Sequence, residues 1–314
     1  MATEEGEVAW SAPKPKAQMQ GAIDLFEKEY PGIKVKFTNA KAPDQVSQIK
    51  VQQAAKKVAI DVAAAGELTV PPSLKMAEAV KWSDYGVDAS DASFDNKMIY
   101  IWASPKVWAY NTSQLAPEDA PSSWDELLET DIPGRKKAIE GRASFMTVWN
   151  VNKKMGQSAA LDWAGRLAAL QPHYTTNTTE AEQLVESGQA AIGTSLMNLA
   201  LEGKDSGAHL DIAPVTPTST NETFIYVPKG APHPAAAVLF SSFLSSQEAQ
   251  DQLAKHYNSR IPRNTDCSAP NMNEALKTLC DNDMEWSSTS DLDEYHSLTK
   301  FFPDAQKALG TYAG

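Results

Sequence analysis

Residues 99–128 read IYIWASPKVWAYNTSQLAPEDAPSSWDELL, and the change of character along them decides the fold. The first half is rich in β-branched and aromatic residues: Ile99, Tyr100, Ile101 and Trp102, then Val107, Trp108, Ala109 and Tyr110. Such a run suits an extended chain packed against neighbouring strands. It stops at Asn111-Thr112, crosses a loop of prolines and acids, and restarts at Ser122 or Ser123 with Ser123-Trp124-Asp125-Glu126. A serine followed three residues later by a carboxylate is a capping-box signature for a helix start. An extended run in mid-chain followed by a fresh helix is how a chain leaves one lobe and enters another.

The flanks of this stretch read as alternating strands and helices. Toward the N-terminus, Glu7 to Trp10 predicts a short strand and Ala17 to Tyr30 a helix with Met19, Ala22, Ile23 and Phe26 at helical spacing; Ile33 to Phe37 predicts a second strand. Strand, helix and strand within some 30 residues make a βαβ unit with parallel strands. Gln45 to Lys57 predicts a helix, Ala59 to Ala64 a buried strand ending at Gly66-Glu67, and Pro71-Pro72 the opening of another helix. Toward the C-terminus, Lys136 to Glu140 predicts a strand, with helix from about Phe145. Ala159 to Leu170 and Thr179 to Ser187 predict further helices, the second closed by Gly188. Ala190 to Ser195 predicts a strand and turn before a helix over Leu196 to Glu202. Thr223 to Pro228 is a clear strand and the candidate for the return crossing. An apolar helix, Ala235 to Leu244, and another opened by Ser246 follow it.

Composition narrows the function. The 314 residues suffice for two compact units. Twenty-eight basic against 40 acidic residues give a net charge of −12, which disfavours nucleic acid and anionic membranes as partners. No apolar run is long enough to span a bilayer. Met1 to Glu5 lacks the basic and apolar regions of a secretory signal, so an exported protein would reach its compartment as a processed form. Cys267 and Cys280 stand 13 apart, and a bridge between them fits an oxidising compartment; two free thiols are the plainer alternative. Enzyme signatures are absent: no Gly-x-Ser-x-Gly, no His-Glu-x-x-His, no phosphate loop and no dinucleotide fingerprint. The five histidines are scattered, and Asp291-Leu292-Asp293-Glu294 reads as a solvated turn before it reads as a cation site. No motif implies a cofactor.

Several segments together resemble one family. They are Phe26-Glu27-Lys28-Glu29-Tyr30-Pro31-Gly32-Ile33-Lys34-Val35; Tyr110-Asn111-Thr112 with Pro117 to Pro121, Ser123 to Leu128 and Pro133-Gly134-Arg135; Glu186 to Gly193; and Gly230-Ala231-Pro232-His233-Pro234 with the apolar helix and Ser246-Gln247-Glu248-Ala249-Gln250. In order, over roughly residues 6 to 265, they resemble the family-1 extracellular solute-binding proteins that feed ABC importers. The resemblance implies a type II periplasmic-binding-protein-like α/β fold, in which two lobes, each a mixed sheet flanked by helices, are joined by two hinge strands. Lobe one is then residues 1–107 with 228–272, lobe two 108–222 with 273–314, and the crossings lie near 107–111 and 223–227. It also implies an exported, periplasmic or extracytoplasmic monomer that captures a small-molecule solute by lobe closure and delivers it to a membrane permease. The family's ferric-iron receptors carry paired tyrosines before the second crossing and often a histidine after the first strand. Here those places hold Ser195-Leu196-Met197-Asn198-Leu199-Ala200 and Ser11-Ala12-Pro13, which points away from hard ferric iron.

The candidate site follows from where such lobes bind ligands, outside the C-terminal ends of strands where helices begin. Helix N-termini carry unpaired N–H groups and about half a positive charge, which suits carboxylate, phosphate ester or phosphonate. Three junctions qualify: Ser11 to Lys14, Ala143 to Phe145 preceded by Arg142, and Thr194 to Leu196. From these come Ser11, Lys14, Arg142, Ser144, Phe145, Thr194 and Ser195. Trp10, Trp102 and Tyr226 are candidate aromatic walls, and Glu67 could hold an amine. Helix capping, core packing and solvation are the plainer readings of the same residues. The expected function is capture of a small anionic organic solute. A metal-ion receptor of the same family, and a periplasmic enzyme or sensor on the same scaffold, remain open.

Overall fold

A computed structural model of the chain describes residues 1–134, 136–258, 260–261, 267–268, 272–289 and 291–311, with the side chains of 142 and 143 outside the description. The chain divides into two compact units. Unit 1 comprises Met1–Ala103, Glu222–Arg260 and Asp291–Tyr295; unit 2 comprises Ser104–Asn221, Ile261–Ser290 and His296–Gly314.

In chain order, unit 1 starts with α1 (Ala2–Glu5), β1 (Glu7–Ala12), α2 (Lys16–Glu29), β2 (Lys34–Asn39), α3 (Ala42–Ala54), β3 (Val62–Gly66), α4 (Val70–Met76) and β4 (Ala92–Ser93). The chain then leaves along β5 (Met98–Asn111), one continuous strand through the predicted crossing. Unit 2 continues with α5 (Trp124–Glu129), β6 (Lys136–Glu140), α6 (Gly141–Met155), α7 (Gln157–Ala169), β7 (His173–Thr175), α8 (Thr178–Glu186), β8 (Ala190–Leu196), α9 (Met197–Asp205) and β9 (Leu210–Ala213). Strand β10 (Thr218–Tyr226) leads back to α10 (Pro234–Leu244) and α11 (Gln247–Ala254) of unit 1. The chain ends with α12 (Glu274–Asp281), β11 (Trp286–Ser288) and α13 (Leu292–Ala308).

The passages between units differ from the predicted bounds. The first falls between Ala103 and Ser104, inside β5, and the second between Asn221 and Glu222, inside β10. After the return, the chain goes to unit 2 from Ile261 rather than from about 273, and 291–295 belong to unit 1.

In unit 1 the strands run β2-β1-β3-β10. Strands β1, β2 and β3 are parallel, as the βαβ spacing requires, and β10 is antiparallel to β3. Alternation along the strands sends Val8, Trp10, Ala12, Val62, Ala64, Ile225 and Val227 to one face, where they meet Met19, Ala22, Ile23 and Phe26 of α2 and Phe240 and Leu244 of α10 in one core. In unit 2 the order is β5-β8-β6-β7, with β6 parallel to both β7 and β8. A Cβ at Gly193 would lie 2.8 Å from the Ala138 carbonyl oxygen and 2.8 Å from Val185, so β8 can approach β6 and α8 this closely only with glycine there.

Local signals explain the helix starts. The Ser123 hydroxyl accepts the Glu126 N–H, while the Glu126 carboxylate accepts from the N–H and hydroxyl of Ser122. Asn177, Ser246 and Asn273 cap α8, α11 and α12 with their own side chains. Gly188, at φ +71°, lets the chain turn out of α8. Cys267 and Cys280 are disulfide-bonded, with Cα atoms 5.7 Å apart. No described helix is long and apolar enough to cross a membrane.

Candidate functional site

In unit 1 the parallel strands β1 and β3 end next to each other and hand the chain to the loops before α2 and α4. Ser11, Lys14 and Glu67 sit at these ends, all buried. Lys14 and Glu67 are engaged by protein groups, and Glu67 takes a φ of +47°, a backbone region that a non-glycine residue adopts only under local constraint. The Ser11 hydroxyl is different: it is buried and has no hydrogen-bond partner. Tyr226, on β10, is fully buried, and its hydroxyl is likewise unpartnered. Burial pushes the Tyr226 phenol up to about 12, with the nearby Ser73 hydroxyl pulling slightly the other way.

In unit 2 the parallel strands β6 and β8 also end together. The Glu140 N–H, at the end of β6, donates to Thr194 Oγ1 of β8 at 2.9 Å. Helices α6 and α9 begin at the next residues, Gly141 and Met197, so two helix N-termini leave one corner of the sheet. Ser144, in the first turn of α6, is fully buried with an unpartnered hydroxyl. Asn198, in the first turn of α9, is buried with an unpartnered amide oxygen.

Beneath this corner lies a carboxylate. The Ser195 hydroxyl donates to Glu182 of α8. Burial drives the Glu182 pKa up to about 7; the Ser195 hydrogen bond opposes the shift, and the neighbouring Glu186 and Glu202 carboxylates add to it.

The structure therefore sorts the predicted residues. Trp10 and Trp102 belong to the unit 1 core: Trp10 packs edge-on to Phe37 and Phe240, with centroids 4.9 and 5.2 Å away, and Trp102 is fully enclosed by the same cluster. Both rings enter the core cluster that α2 and α10 also line, the plainer of their two readings. Phe145 packs on Phe302 and Phe301 of α13 at 4.7 and 6.4 Å. Thr194 spends its acceptor on Glu140, and Ser195 spends its donor on Glu182. The Arg142 side chain lies outside the described residues. Ser11, Tyr226 and Ser144 keep their hydroxyls uncommitted.

Two residues were not anticipated, Ser73 and Asn198. Ser73 is a polar position on the buried face of α4, between Val70 and Leu74. Asn198 sits between Met197 and Leu199 at a helix start. A lone polar residue inside an apolar stripe is the signal that would have found both.

Residues 9–251 match the family model described as bacterial extracellular solute-binding protein. The chain belongs to this family. Solved structures to which the fold of this solute-binding protein is similar include the following. The substrate-binding protein of an ABC transporter from Agrobacterium tumefaciens superposes with TM-score 0.80 at 16% identity, covering 96% of this chain and 94% of that one. Iron-bound HitA from Pseudomonas aeruginosa gives 0.73 at 20%, covering 96% and 99%. AgtB from A. tumefaciens R10, in complex with agropinic acid, gives 0.74 at 16%, covering 97% and 99%. No curated protein matches the sequence. The solute-binding protein thus has a type II periplasmic-binding-protein-like α/β fold and serves as the binding component of an ABC importer, with a small-molecule ligand and a membrane permease as partners.

Proposed function

We propose that this solute-binding protein captures a small anionic organic solute, a phosphonate, phosphate ester or carboxylate. The observation that carries the reading is the corner of unit 2 where α6 and α9 start side by side with Ser144 and Asn198 buried and uncommitted. Each N-terminus offers unpaired N–H groups and a partial positive charge, and a buried side chain without a partner calls for a polar ligand. An asparagine amide can present either its NH₂ or its oxygen to that ligand.

Donor chemistry supports an organic solute over ferric iron. The segment Ser195 to Ala200 offers no phenolate, and no group of three His, Cys, Asp or Glu among the described residues could hold a metal ion. The disulfide supports an extracytoplasmic, periplasmic setting. Capture would proceed as in other two-lobed receptors, with the monomer closing its units on the solute so that binding shifts the population toward the closed state.

A thermal-shift panel of inorganic phosphate, phosphonoacetate, glutarate, a hexose and ferric citrate tests the reading. A ligand at 100 times its Kd stabilises by about 2.7 kcal/mol, a shift of roughly 5–10 °C for a chain of this size. The expected result is such a shift with an organic anion, reduced in Ser144→Ala. A shift with ferric citrate alone would overturn it.

A further inference from the structure

The Ser195 hydroxyl has two acceptors in reach and one proton to give. Its oxygen stands within hydrogen-bond distance of Glu182 Oε2 and, at 3.1 Å, of the Leu196 carbonyl oxygen. Glu182 decides which of them receives the proton. An ionised carboxylate can only accept, so it takes the Ser195 proton and the Leu196 carbonyl loses that donor. A protonated carboxyl can itself donate to Ser195 Oγ, and the hydroxyl is then released to the Leu196 carbonyl. Leu196 is the N-cap of α9, whose carbonyl accepts the first bond of the helix, and Asn198 stands two residues further on. The preceding Thr194 accepts from Glu140, the last residue before α6. The switchable hydroxyl thus sits where both helices of the unit 2 corner leave the sheet.

Glu182 is 6% exposed, and the charged groups that act on it are both acids, Glu186 of its own helix and Glu202 of α9. A Cβ at Gly203 would lie 2.9 Å from Glu186 Oε1 and 4.0 Å from Glu182 Oε1, so two carboxylates reach one point on α9. Bases on the elements packed against α8 are engaged elsewhere or exposed. Lys204 of α9 pairs with Asp211 at 2.9 Å, and Lys137 of β6 donates to the Thr130 carbonyl. His173 of β7 acts on Glu180, and Lys136 of β6 is exposed. Strand β8 carries no charged residue. Burial and two like charges therefore oppose ionisation, the Ser195 hydrogen bond supports it, and the balance falls at about 7. Ser195 and Asn198 are three residues apart, at most about 11 Å along the chain. At that range a buried charge changes the affinity for an anion by roughly tenfold.

We propose that Glu182 is a proton-operated switch on the unit 2 solute site. Protonated, it leaves the start of α9 braced by Ser195 and receptive to an anion; ionised, it withdraws that hydroxyl and sets a negative charge behind the site. The switch rests on the solute-binding reading above and adds its regulation. Binding at the corner must tighten as pH falls and slacken as pH rises through the ionisation of Glu182. Linkage is reciprocal, so a bound anion makes Glu182 hold its proton more tightly, and binding near neutral pH takes up a proton.

Calorimetric titration of glutarate and methanesulfonate tests the switch in the wild type, Glu182→Gln and Ser195→Ala, with circular dichroism confirming that each variant is folded. The charge of both probes hardly changes between about pH 6 and pH 8.5, so the protein alone titrates. Over that range the wild type should lose roughly tenfold in affinity. Titrations in buffers of different ionisation enthalpy should record proton uptake near neutral pH. Glu182→Gln fixes the neutral state, so it should hold the acid-side affinity throughout and take up no proton. Ser195→Ala removes the hydrogen bond that favours the ionised form, so its fall in affinity should move to higher pH. That shift carries the test where Glu182→Gln fails to fold. A wild-type affinity that is flat with pH, or a profile unmoved by either substitution, overturns the switch and leaves the unit 2 site standing. Failure of both probes to bind the wild type at the acid end overturns the unit 2 reading and the switch together.

Discussion

The strand ends of unit 1 and unit 2 are built from the same parts and spend them differently. Each has two parallel strands ending together, hydroxyl residues at those ends and helices just beyond. In unit 2 the strand hydroxyls are consumed inside the protein: Thr194 accepts from Glu140, and Ser195 donates to Glu182. The helix-borne Ser144 and Asn198 stay uncommitted. In unit 1 the strand hydroxyls of Ser11 and Tyr226 are themselves uncommitted, and the neighbouring aromatic, Trp10, is consumed by the core. The position of a residue at a strand end therefore does not decide its role. What decides it is whether another element reaches its side chain first.

The largest expected effect tests the core side of this comparison. Trp10→Ala removes a fully buried ring from between Phe37 and Phe240 and should cost about 3–5 kcal/mol. Denaturant melts should record that loss, and the folded fraction should keep its solute affinity. A variant of wild-type stability with lost affinity would put Trp10 back on the ligand and break the contrast between the two faces of β1.

A second, smaller effect tests the unit 2 side through pH. Glu182 holds its proton up to about 7 in the folded state, against 4.5 for the free side chain. Between those values the folded protein binds a proton that the unfolded chain has released. Stability must then fall as pH rises through that window, and the full penalty is present only above it. At its upper limit the penalty is roughly 3 kcal/mol. Glu182→Gln keeps an acceptor for the Ser195 hydroxyl and removes the charge that Glu186 and Glu202 oppose. It should flatten the stability profile between pH 4.5 and 7 and raise stability at pH 8. A profile as steep as that of the wild type would remove Glu182 as the group beneath β8.

How much of this was legible in the sequence follows from how local each signal is. Strand β6 was read at its observed bounds, α2, α7, α8 and α10 within a residue or two, and the start of α11 within one, because hydrophobic period, prolines and caps lie inside each segment. Strand β10 starts five residues earlier than read, since Thr218-Ser219-Thr220 has no apolar pattern and is buried by pairing with β11, some 68 residues later. Helix α6 begins at Gly141, where a glycine gives no helical signal. The strand-to-helix junctions of the candidate site were legible for the same local reason. The fates of their side chains were not: Glu182 reaches Ser195 from another helix, and Phe301 and Phe302 reach Phe145 from the far end of the chain.

The smallest effects draw the comparison most finely, because they pit one hydroxyl against another. Thr194→Ala deletes the acceptor of the Glu140 N–H and leaves a partly buried donor unmet, which costs about 1–2 kcal/mol. Ser11→Ala deletes a hydroxyl that bonds nothing in the protein, so stability should change by less than about 0.5 kcal/mol or rise slightly. Ser11→Ala deletes one hydroxyl, whereas Thr194→Ala also deletes a buried methyl group worth about 0.8 kcal/mol, so the lost hydrogen bond is the part of the difference beyond that. Equal losses in paired denaturant melts would mean that Ser11 has a protein partner, and unit 1 would then spend its strand hydroxyls as unit 2 does. A loss confined to Thr194→Ala would leave Ser11 as a donor held in reserve for something that is not protein.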